Sequence, residues 1–184
     1  MRKSYIVTLL VLSVLIAFAV GVAYYIHDKA VREEANQADE TLFSDAGESP
    51  YVDKNGNGVS LEGNLGKVIV VNSWASWSPF SVEELQSLNQ FASEYKDKNV
   101  VVIAVNRKET KEQAERFLAT LPPLENLQVV IDTKDFFYGA VGGYAMPETV
   151  FYDSRGTIIE HRQGAVSLED TKRIVDSIIN TTEE

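Results

Sequence analysis

The 184-residue sequence contains no cysteine, two histidines (His27 and His161) and fewer basic than acidic residues. Without a thiol, the chain can form no disulfide, no thiolate nucleophile and no thiolate ligand to a metal. The two histidines stand far apart in the sequence, so we expect neither a metal site nor a cofactor. The net charge of −10 argues against nucleic acid as a partner, since surfaces that bind nucleic acids are basic.

The sequence has one long hydrophobic run, Ile6 to Ile26, and it contains no charged residue. A helix needs about 20 apolar residues to cross a bilayer, so this run is long enough. Arg2 and Lys3 precede it, and the positive-inside rule then places the N-terminus in the cytoplasm and the rest of the chain outside. We therefore predict a single-pass membrane anchor over residues 1–27, which crosses the membrane through residues 6–26.

The alternative is a cleaved signal peptide, because Ala17-Phe18-Ala19 has the small-x-small form of a cleavage site. The hydrophobic run continues past this site, which favours the uncleaved anchor. Under either interpretation the domain is exported, so we expect an extracytoplasmic location. Residues 28–50 are polar and acidic and form a predicted linker, and residues 51–184 form the predicted globular domain.

The order of predicted elements in this domain indicates an α/β fold. Two Asn-Gly pairs at residues 55–58 predict a hairpin. Three β-branched runs then alternate with two helical segments, which makes the three strands parallel by right-handed crossovers. A second hairpin and a final helix follow. We therefore expect a central mixed sheet with parallel strands in the middle, an antiparallel pair at one side and helices on both faces.

A strand that runs through a short turn into a helix holds the candidate functional residues. Val68–Val71 is a β-branched strand, and apolar residues at helical spacing follow Glu84. Between them, Ser78-Pro79-Phe80-Ser81 suits a helix start, since serine is a preferred N-cap and proline a preferred first residue. Ser81 with Glu84 also fits the Ser-x-x-Glu capping box. These residues are therefore either a helix start alone or a surface for a ligand or partner.

The segment Trp74-Ala75-Ser76-Trp77-Ser78-Pro79-Phe80-Ser81 resembles the Trp-Ala-x-Trp-Cys-x-x-Cys segment of the thioredoxin fold in its membrane-anchored TlpA/ResA-like branch. Glu84 stands three residues past Ser81, like the acidic residue of that branch. Met146-Pro147, ahead of an apolar strand, resembles the cis-proline loop that faces the redox pair. The resemblance covers residues 59–179 and implies a thioredoxin-like fold with, in the family, thiol-disulfide oxidoreductase (redoxin) activity.

The resemblance also implies that Ser78 replaces the nucleophilic cysteine and that Ser81 replaces the resolving cysteine. Disulfide exchange needs a thiolate and a second thiol, and a serine hydroxyl supplies neither. Ser78 would be a hydrolytic nucleophile only with a base in reach and an oxyanion hole. We therefore assign no catalytic residue. Ser78 and Ser81 are degenerate redox positions, and Glu84 and Pro147 are associated with them.

The leading hypothesis is a membrane-anchored, extracytoplasmic thioredoxin-like protein that is inactive in dithiol chemistry and binds an exported protein or peptide. Its binding groove is predicted to be lined by Trp74, Trp77, Pro79, Phe80, Met146 and Pro147. Two alternatives remain open. One is thiol-disulfide oxidoreductase activity that depends on a partner's thiols, and the other is a structural scaffold.

Overall fold

The computed structural model describes residues 20–23, 25, 51–60 and 62–182, and the chain divides into two compact units, residues 1–37 and 38–184. In the first unit, residues 20–23 and 25 are helical. The rest of the predicted anchor and the whole predicted linker lie outside the described residues. Among the residues that are described, no helix combines the length and the apolar character that a membrane crossing requires.

Seven strands form one sheet in the second unit: β1 (Tyr51–Val52), β2 (Gly58–Val59), β3 (Val68–Trp74), β4 (Val100–Arg107), β5 (Gln128–Asp132), β6 (Glu148–Tyr152) and β7 (Ile158–Gln163). Across the sheet they follow the order β2-β1-β5-β4-β3-β6-β7. The central β3, β4 and β5 are parallel, whereas β6 pairs antiparallel with β3 and β7 pairs antiparallel with β6. The predicted mixed sheet is confirmed.

Four helices pack on this sheet: α1 (Ser81–Glu94), α2 (Lys111–Leu118), α3 (Phe136–Ala140) and α4 (Leu168–Thr182). Side chains of α1, α2 and α4 share a core with one face of the sheet, and α3 packs on the other face. Along β3, Val70 and Trp74 belong to the first core, and Ile69 and Val71 belong to the second. Because β3 is buried on both faces, its first four residues form a continuous apolar run instead of an alternating one.

The predicted first hairpin is confirmed, since β1 and β2 pair antiparallel around residues 53–57. The carboxylate of Asp53 accepts hydrogen bonds from the backbone N–H groups of Asn55 and Asn57, at 2.7 and 2.8 Å. Gly56 has a φ of 84°, a conformation that glycine adopts without steric cost. Turn chemistry in the sequence therefore determined this hairpin locally.

The topology brings several connections to one edge of the sheet. The parallel strands end there, so β3 leads into α1 and β4 leads into α2 at the same edge. The antiparallel strand β6 begins at that edge, because Ser73 near the end of β3 pairs with Glu148 at the start of β6. The turn before α1 and the loop before β6 are therefore neighbours.

The two tryptophans of the central segment allow a matched test of this fold. Trp74 is fully buried, and its ring stacks on Phe117 with 5.5 Å between the centroids. Trp77 is 63% exposed. We expect Trp74→Ala to lower the free energy of unfolding by about 3–5 kcal/mol, the usual cost of emptying a core aromatic site. Trp77→Ala should change it by less than about 0.5 kcal/mol. Urea denaturation of both variants measures the difference, and equal effects would contradict the burial of Trp74.

Candidate functional site

The candidate site begins at the loop that joins β3 to α1, residues 75–80, which we call the serine loop. The Ser78 N–H donates to the carbonyl of Ala75 at 3.1 Å, and the Ser81 N–H donates to the carbonyl of Ser78 at 3.2 Å. These two bonds close a tight turn. α1 then begins at Ser81, with Phe80 as the N-cap residue and no side-chain cap.

The predicted chemistry of this helix start is wrong. Ser78 does not cap α1 and Pro79 is not its first residue, because the turn continues to Phe80. Ser81 and Glu84 do not form a capping box either, since both side chains are buried and bonded elsewhere. The side chains of Ser81 and Glu84, which the local pattern assigned to a capping box, form hydrogen bonds with Ala75 and Val166 instead.

The two serines have different environments. Ser81 is fully buried, and its Oγ donates to the carbonyl of Ala75 at 2.9 Å and accepts from the Ala75 N–H at 3.4 Å. Ser78 is 3% exposed, yet its Oγ has no hydrogen-bond partner among the described residues. Ser81 therefore ties the helix start to the strand end, whereas the hydroxyl of Ser78 contributes no hydrogen bond to the fold.

The second part of the site is the loop before β6, residues 143–147, which we call the proline loop. The Met146–Pro147 peptide bond is cis, as the resemblance predicted. Pro147 is buried, and its carbonyl accepts a 2.9 Å hydrogen bond from Gly164. The pairing of Ser73 with Glu148 sets Pro147 beside the end of β3, where the serine loop starts. The structure thus brings the two predicted segments together.

Exposed apolar side chains from both loops form what we call the rim: Trp77, Pro79, Phe80, Tyr144 and Met146. Trp77 and Phe80 are 63% and 53% exposed, Pro79 is exposed and Met146 is half-buried. Tyr144 is 84% exposed and was not among the residues predicted to line the groove. The assignment of Trp74 to the groove is wrong, since the side chain lies in the core beneath the loop.

The main chain of the proline loop is held from below by Glu148. One carboxylate oxygen of this fully buried residue accepts hydrogen bonds from the N–H groups of both Tyr144 and Ala145. The other oxygen lies 3.0 Å from Nε2 of His161 on β7. The Tyr138 hydroxyl donates to the carbonyl of Ala145 at 3.1 Å. In the part of the chain that the structure describes, the N–H and C=O of Met146 find no partner.

Sequence analysis missed both members of the Glu148–His161 pair. His161 was one charged residue in a late strand, and Glu148 was the first residue of an apolar one. The register of β6 with β7, in which Val150 pairs with His161, brings the imidazole to the carboxylate. Glutamate directly after the proline was the one available signal, because a charged residue at the start of a buried strand needs a partner.

Glu84 is a buried carboxyl group with an incomplete set of partners. Its Oε1 accepts from the Thr149 hydroxyl at 3.3 Å and from the Val166 N–H at 3.2 Å, while Oε2 has no partner among the described residues. Burial raises the pKa of Glu84 to about 7, and the hydrogen bonds from Val166 and Thr149 offset this only in part. Glu84 also lines, with Phe80, a groove of about 470 Å³ between α1 and the start of α4.

The geometry does not provide the parts of a serine hydrolase. No imidazole or carboxylate hydrogen bonds to the hydroxyl of Ser78 or Ser81 in the described part of the chain. His161 is engaged by Glu148. Nor do the described residues contain a group of three or more histidines or acidic residues that could hold a metal ion. What the site offers is a shaped surface with an unpaired main-chain segment at Met146.

Alanine substitutions should separate the roles of the two serines. Ser81→Ala removes the buried hydroxyl that donates to the Ala75 carbonyl, and it leaves the Ala75 N–H without its acceptor, so we expect the free energy of unfolding to fall by about 1–3 kcal/mol. Ser78→Ala removes a buried hydroxyl without a partner, so we expect no loss and a gain of up to about 1 kcal/mol. Urea denaturation of both variants at one pH is the measurement. A larger loss for Ser78→Ala than for Ser81→Ala would contradict the assignment.

The pKa of Glu84 predicts a pH-dependent contribution to stability. A carboxyl group whose pKa rises from 4.5 to about 7 on folding stabilises the fold below pH 4.5, and this contribution is lost as the pH rises through 7. Glu84→Gln removes the titration, so the stability of the variant relative to wild type should rise between pH 4.5 and 8, by on the order of 3 kcal/mol. Urea denaturation across this range tests it. A difference that does not change with pH would show that Glu84 titrates normally.

Comparison with solved structures supports the fold. The chain is similar to a structure named as the thiol:disulfide interchange protein DsbE from Chlorobium tepidum, with a TM-score of 0.65 and 25% identity, over 70% of this chain and 92% of that one. It is also similar to the exposed lipoprotein thioredoxin Etrx1 from Streptococcus pneumoniae, with a TM-score of 0.62 and 20% identity, over 68% and 96% of the two chains.

Sequence comparison places the chain in a family. The Redoxin family model matches residues 35–179. Thiol-disulfide oxidoreductase ResA from Geobacillus kaustophilus is 28% identical over 170 residues, which cover 90% of this chain and 92% of that protein. ResA from Geobacillus thermodenitrificans is 31% identical over 117 residues, or 61% and 64% of the two chains. The chain therefore belongs to the redoxin family and has a thioredoxin-like fold, with serine at positions 78 and 81 where its resemblance to that family implies cysteine.

Proposed function

We propose that this chain is a membrane-tethered, extracytoplasmic member of the redoxin family that does not exchange disulfides and binds an extended segment of an exported protein at the rim. One observation carries the proposal. The exposed side chains of Trp77 and Phe80 and the unpaired main chain of Met146 surround a turn whose serines have no redox chemistry.

The absence of thiol chemistry follows from the residues at the site. Thiol-disulfide exchange forms a mixed disulfide at one sulfur and resolves it with a second. The chain has no sulfur nucleophile at position 78 or 81, and no cysteine elsewhere in the sequence could substitute. This chain thus shares its fold with the relatives named thiol-disulfide oxidoreductase. In the proposed function it uses the surface of that fold for binding and does not carry out their reaction.

Binding is supported by the character of the rim. Aromatic side chains, tryptophan above all, are enriched among the residues that dominate the energetics of protein interfaces, and groups of exposed apolar side chains mark interaction sites more often than single ones do. The N–H and C=O of Met146 supply one donor and one acceptor to an extended chain, which is the main-chain pairing of strand addition. An extended segment with apolar side chains satisfies both features, since its backbone pairs with Met146 while its side chains pack on Trp77 and Phe80.

The location of the domain is part of the same proposal. Its support is the charge-free run from Ile6 to Ile26 behind Arg2 and Lys3, which suits an anchor with the domain outside the cytoplasm. An exported partner then follows from the compartment. The alternative in which a partner's thiols do the chemistry keeps this location and differs only in the reaction.

Insulin reduction separates the redox-inactive proposal from the oxidoreductase alternative. With dithiothreitol as reductant, we expect the wild-type protein not to accelerate the reduction of insulin above the rate with dithiothreitol alone. Ser78→Cys combined with Ser81→Cys should raise the rate, because its two thiols become a disulfide as an insulin disulfide becomes two thiols, and dithiothreitol then restores them. Ser78→Ala combined with Ser81→Ala is the matched control. Acceleration by the wild type would establish the oxidoreductase alternative, and no acceleration by the double-cysteine variant would contradict the assignment of positions 78 and 81.

Partner capture tests the rim directly. We expect Trp77→Ala combined with Phe80→Ala to reduce the recovery of cross-linked exported proteins by the full chain at least about tenfold, the scale of losing aromatic hot spots. Leu65→Ala combined with Ile159→Ala is the control, because both side chains are exposed and lie outside the two loops. Quantitative mass spectrometry after cross-linking in cells compares the variants. Equal recovery by the rim variant and the control would remove the rim from the function and favour the scaffold.

A further inference from the structure

Glu109, in the connection from β4 to α2, is a buried acid that sequence analysis did not single out. Its carboxylate accepts three hydrogen bonds. One oxygen, Oε2, accepts from the Ser76 N–H at 2.9 Å and from the side-chain amide of Asn106 at 2.7 Å. The other, Oε1, accepts from the Ser76 hydroxyl at 2.5 Å. Both donor groups of Ser76 are therefore bound by one side chain from a different strand connection.

The chain on both sides of Glu109 is fixed, so the carboxylate has a defined position. Before it, Lys108 has a φ of 55°, which turns the chain sharply after β4, and the Lys108 N–H donates to the carbonyl of Asp132 at 2.8 Å. After it, Thr110 caps α2 and forms a reciprocal capping box with Gln113. Asn106, the third donor, pairs in register with Trp74 at the end of β3.

The consequence concerns Trp77, an exposed side chain of the serine loop. With 63% of its surface exposed, Trp77 has little packing of its own to set its position. The main chain before it is set by Ser76, which Glu109 holds, and the main chain after it is set by the bond from Ser78 to Ala75. A binding surface held in place before contact loses less conformational freedom when its partner binds.

We propose that Glu109 is a positioning residue that holds Ser76 and thereby sets the Trp77 side of the rim for its partner. This inference rests on the proposed function only where it concerns partner binding. The hydrogen bonds between Ser76 and Glu109 are present in the chain without a partner. A carboxylate suits the role because both of its oxygens accept hydrogen bonds. In glutamine an NH₂ group replaces one oxygen, and this donor would face a donor of Ser76 or Asn106.

The experiment measures the hold and the binding separately in the full chain. Amide hydrogen exchange of Ser76 and ¹⁵N relaxation of the Trp77 indole report the hold, and the recovery of cross-linked exported proteins reports the binding. We expect Glu109→Ala to speed exchange of the Ser76 amide about tenfold or more, the equivalent of one lost charge-assisted hydrogen bond, and to increase the motion of the Trp77 indole. Partner recovery should fall to a similar extent.

Two milder variants keep the test decisive if Glu109→Ala does not fold. Ser76→Ala removes only the hydroxyl bond and should increase Trp77 motion and reduce recovery. Ser76→Thr keeps the hydroxyl and should behave as wild type. Unchanged Trp77 motion in Ser76→Ala, or unchanged exchange of the Ser76 amide in folded Glu109→Ala, would overturn the positioning role. Increased motion with undiminished recovery would overturn it too, provided that the Trp77 and Phe80 double variant does lose recovery. If that double variant retains recovery while the alanine variants free Trp77, the positioning role stands and the proposed function fails.

Discussion

Buried carboxylates that accept main-chain N–H groups hold together the edge of the sheet where the site lies. Besides Glu109, the described residues at this edge include Glu84, which accepts from Val166, Asp132, which accepts from Phe137, and Glu148, which accepts from Tyr144 and Ala145. These N–H groups belong to loops and to the start of a short helix, where no neighbouring strand can accept them, and a buried N–H without an acceptor is costly. Burial of these carboxylates removes them from water and disfavours their charged form, which raises the pKa of both Glu84 and Asp132. The loops are thereby shaped without any disulfide.

The serine loop shows how this scaffold separates its shape from its chemistry. Ser81 has become a structural residue, since its hydroxyl joins the start of α1 to the end of β3. Ser78 is buried and its hydroxyl is unpartnered in the described part of the chain, so it contributes no hydrogen bond to the fold. The structure around the rim therefore depends on the Ser81 hydroxyl but not on the Ser78 hydroxyl. Under the proposed function, the chain keeps the fold of its family without the family's reaction, which is possible because fold and activity reside in different atoms.

Much of the fold could be predicted because its signals are local. The β-branched run of β3, the Asn-Gly turn of the first hairpin and the alternation of strands with helical segments all follow from a few neighbouring residues. The roles of individual site residues could not be predicted in this way. Trp74 and Trp77 are three positions apart in one motif, yet one lies in the core and the other is exposed. Which of them faces inward depends on where β3 ends and the turn begins, and the motif does not contain that information.

Partners supplied by other elements account for the remaining differences. Glu109 reaches Ser76 because β4 lies parallel to β3, and His161 reaches Glu148 because β7 pairs with β6 in one particular register. By itself, the sequence determined the α/β order and the absence of thiols, since local periodicity and composition suffice for these. That the proline loop lies beside the serine loop was implied by the resemblance to the thioredoxin-like family. Only the tertiary structure decided which side chains are exposed at the rim and which buried carboxylate accepts the N–H groups of each loop. The physical reason is that a buried donor or carboxylate takes whatever partner the packing brings within hydrogen-bond distance, and that partner can lie anywhere in the chain.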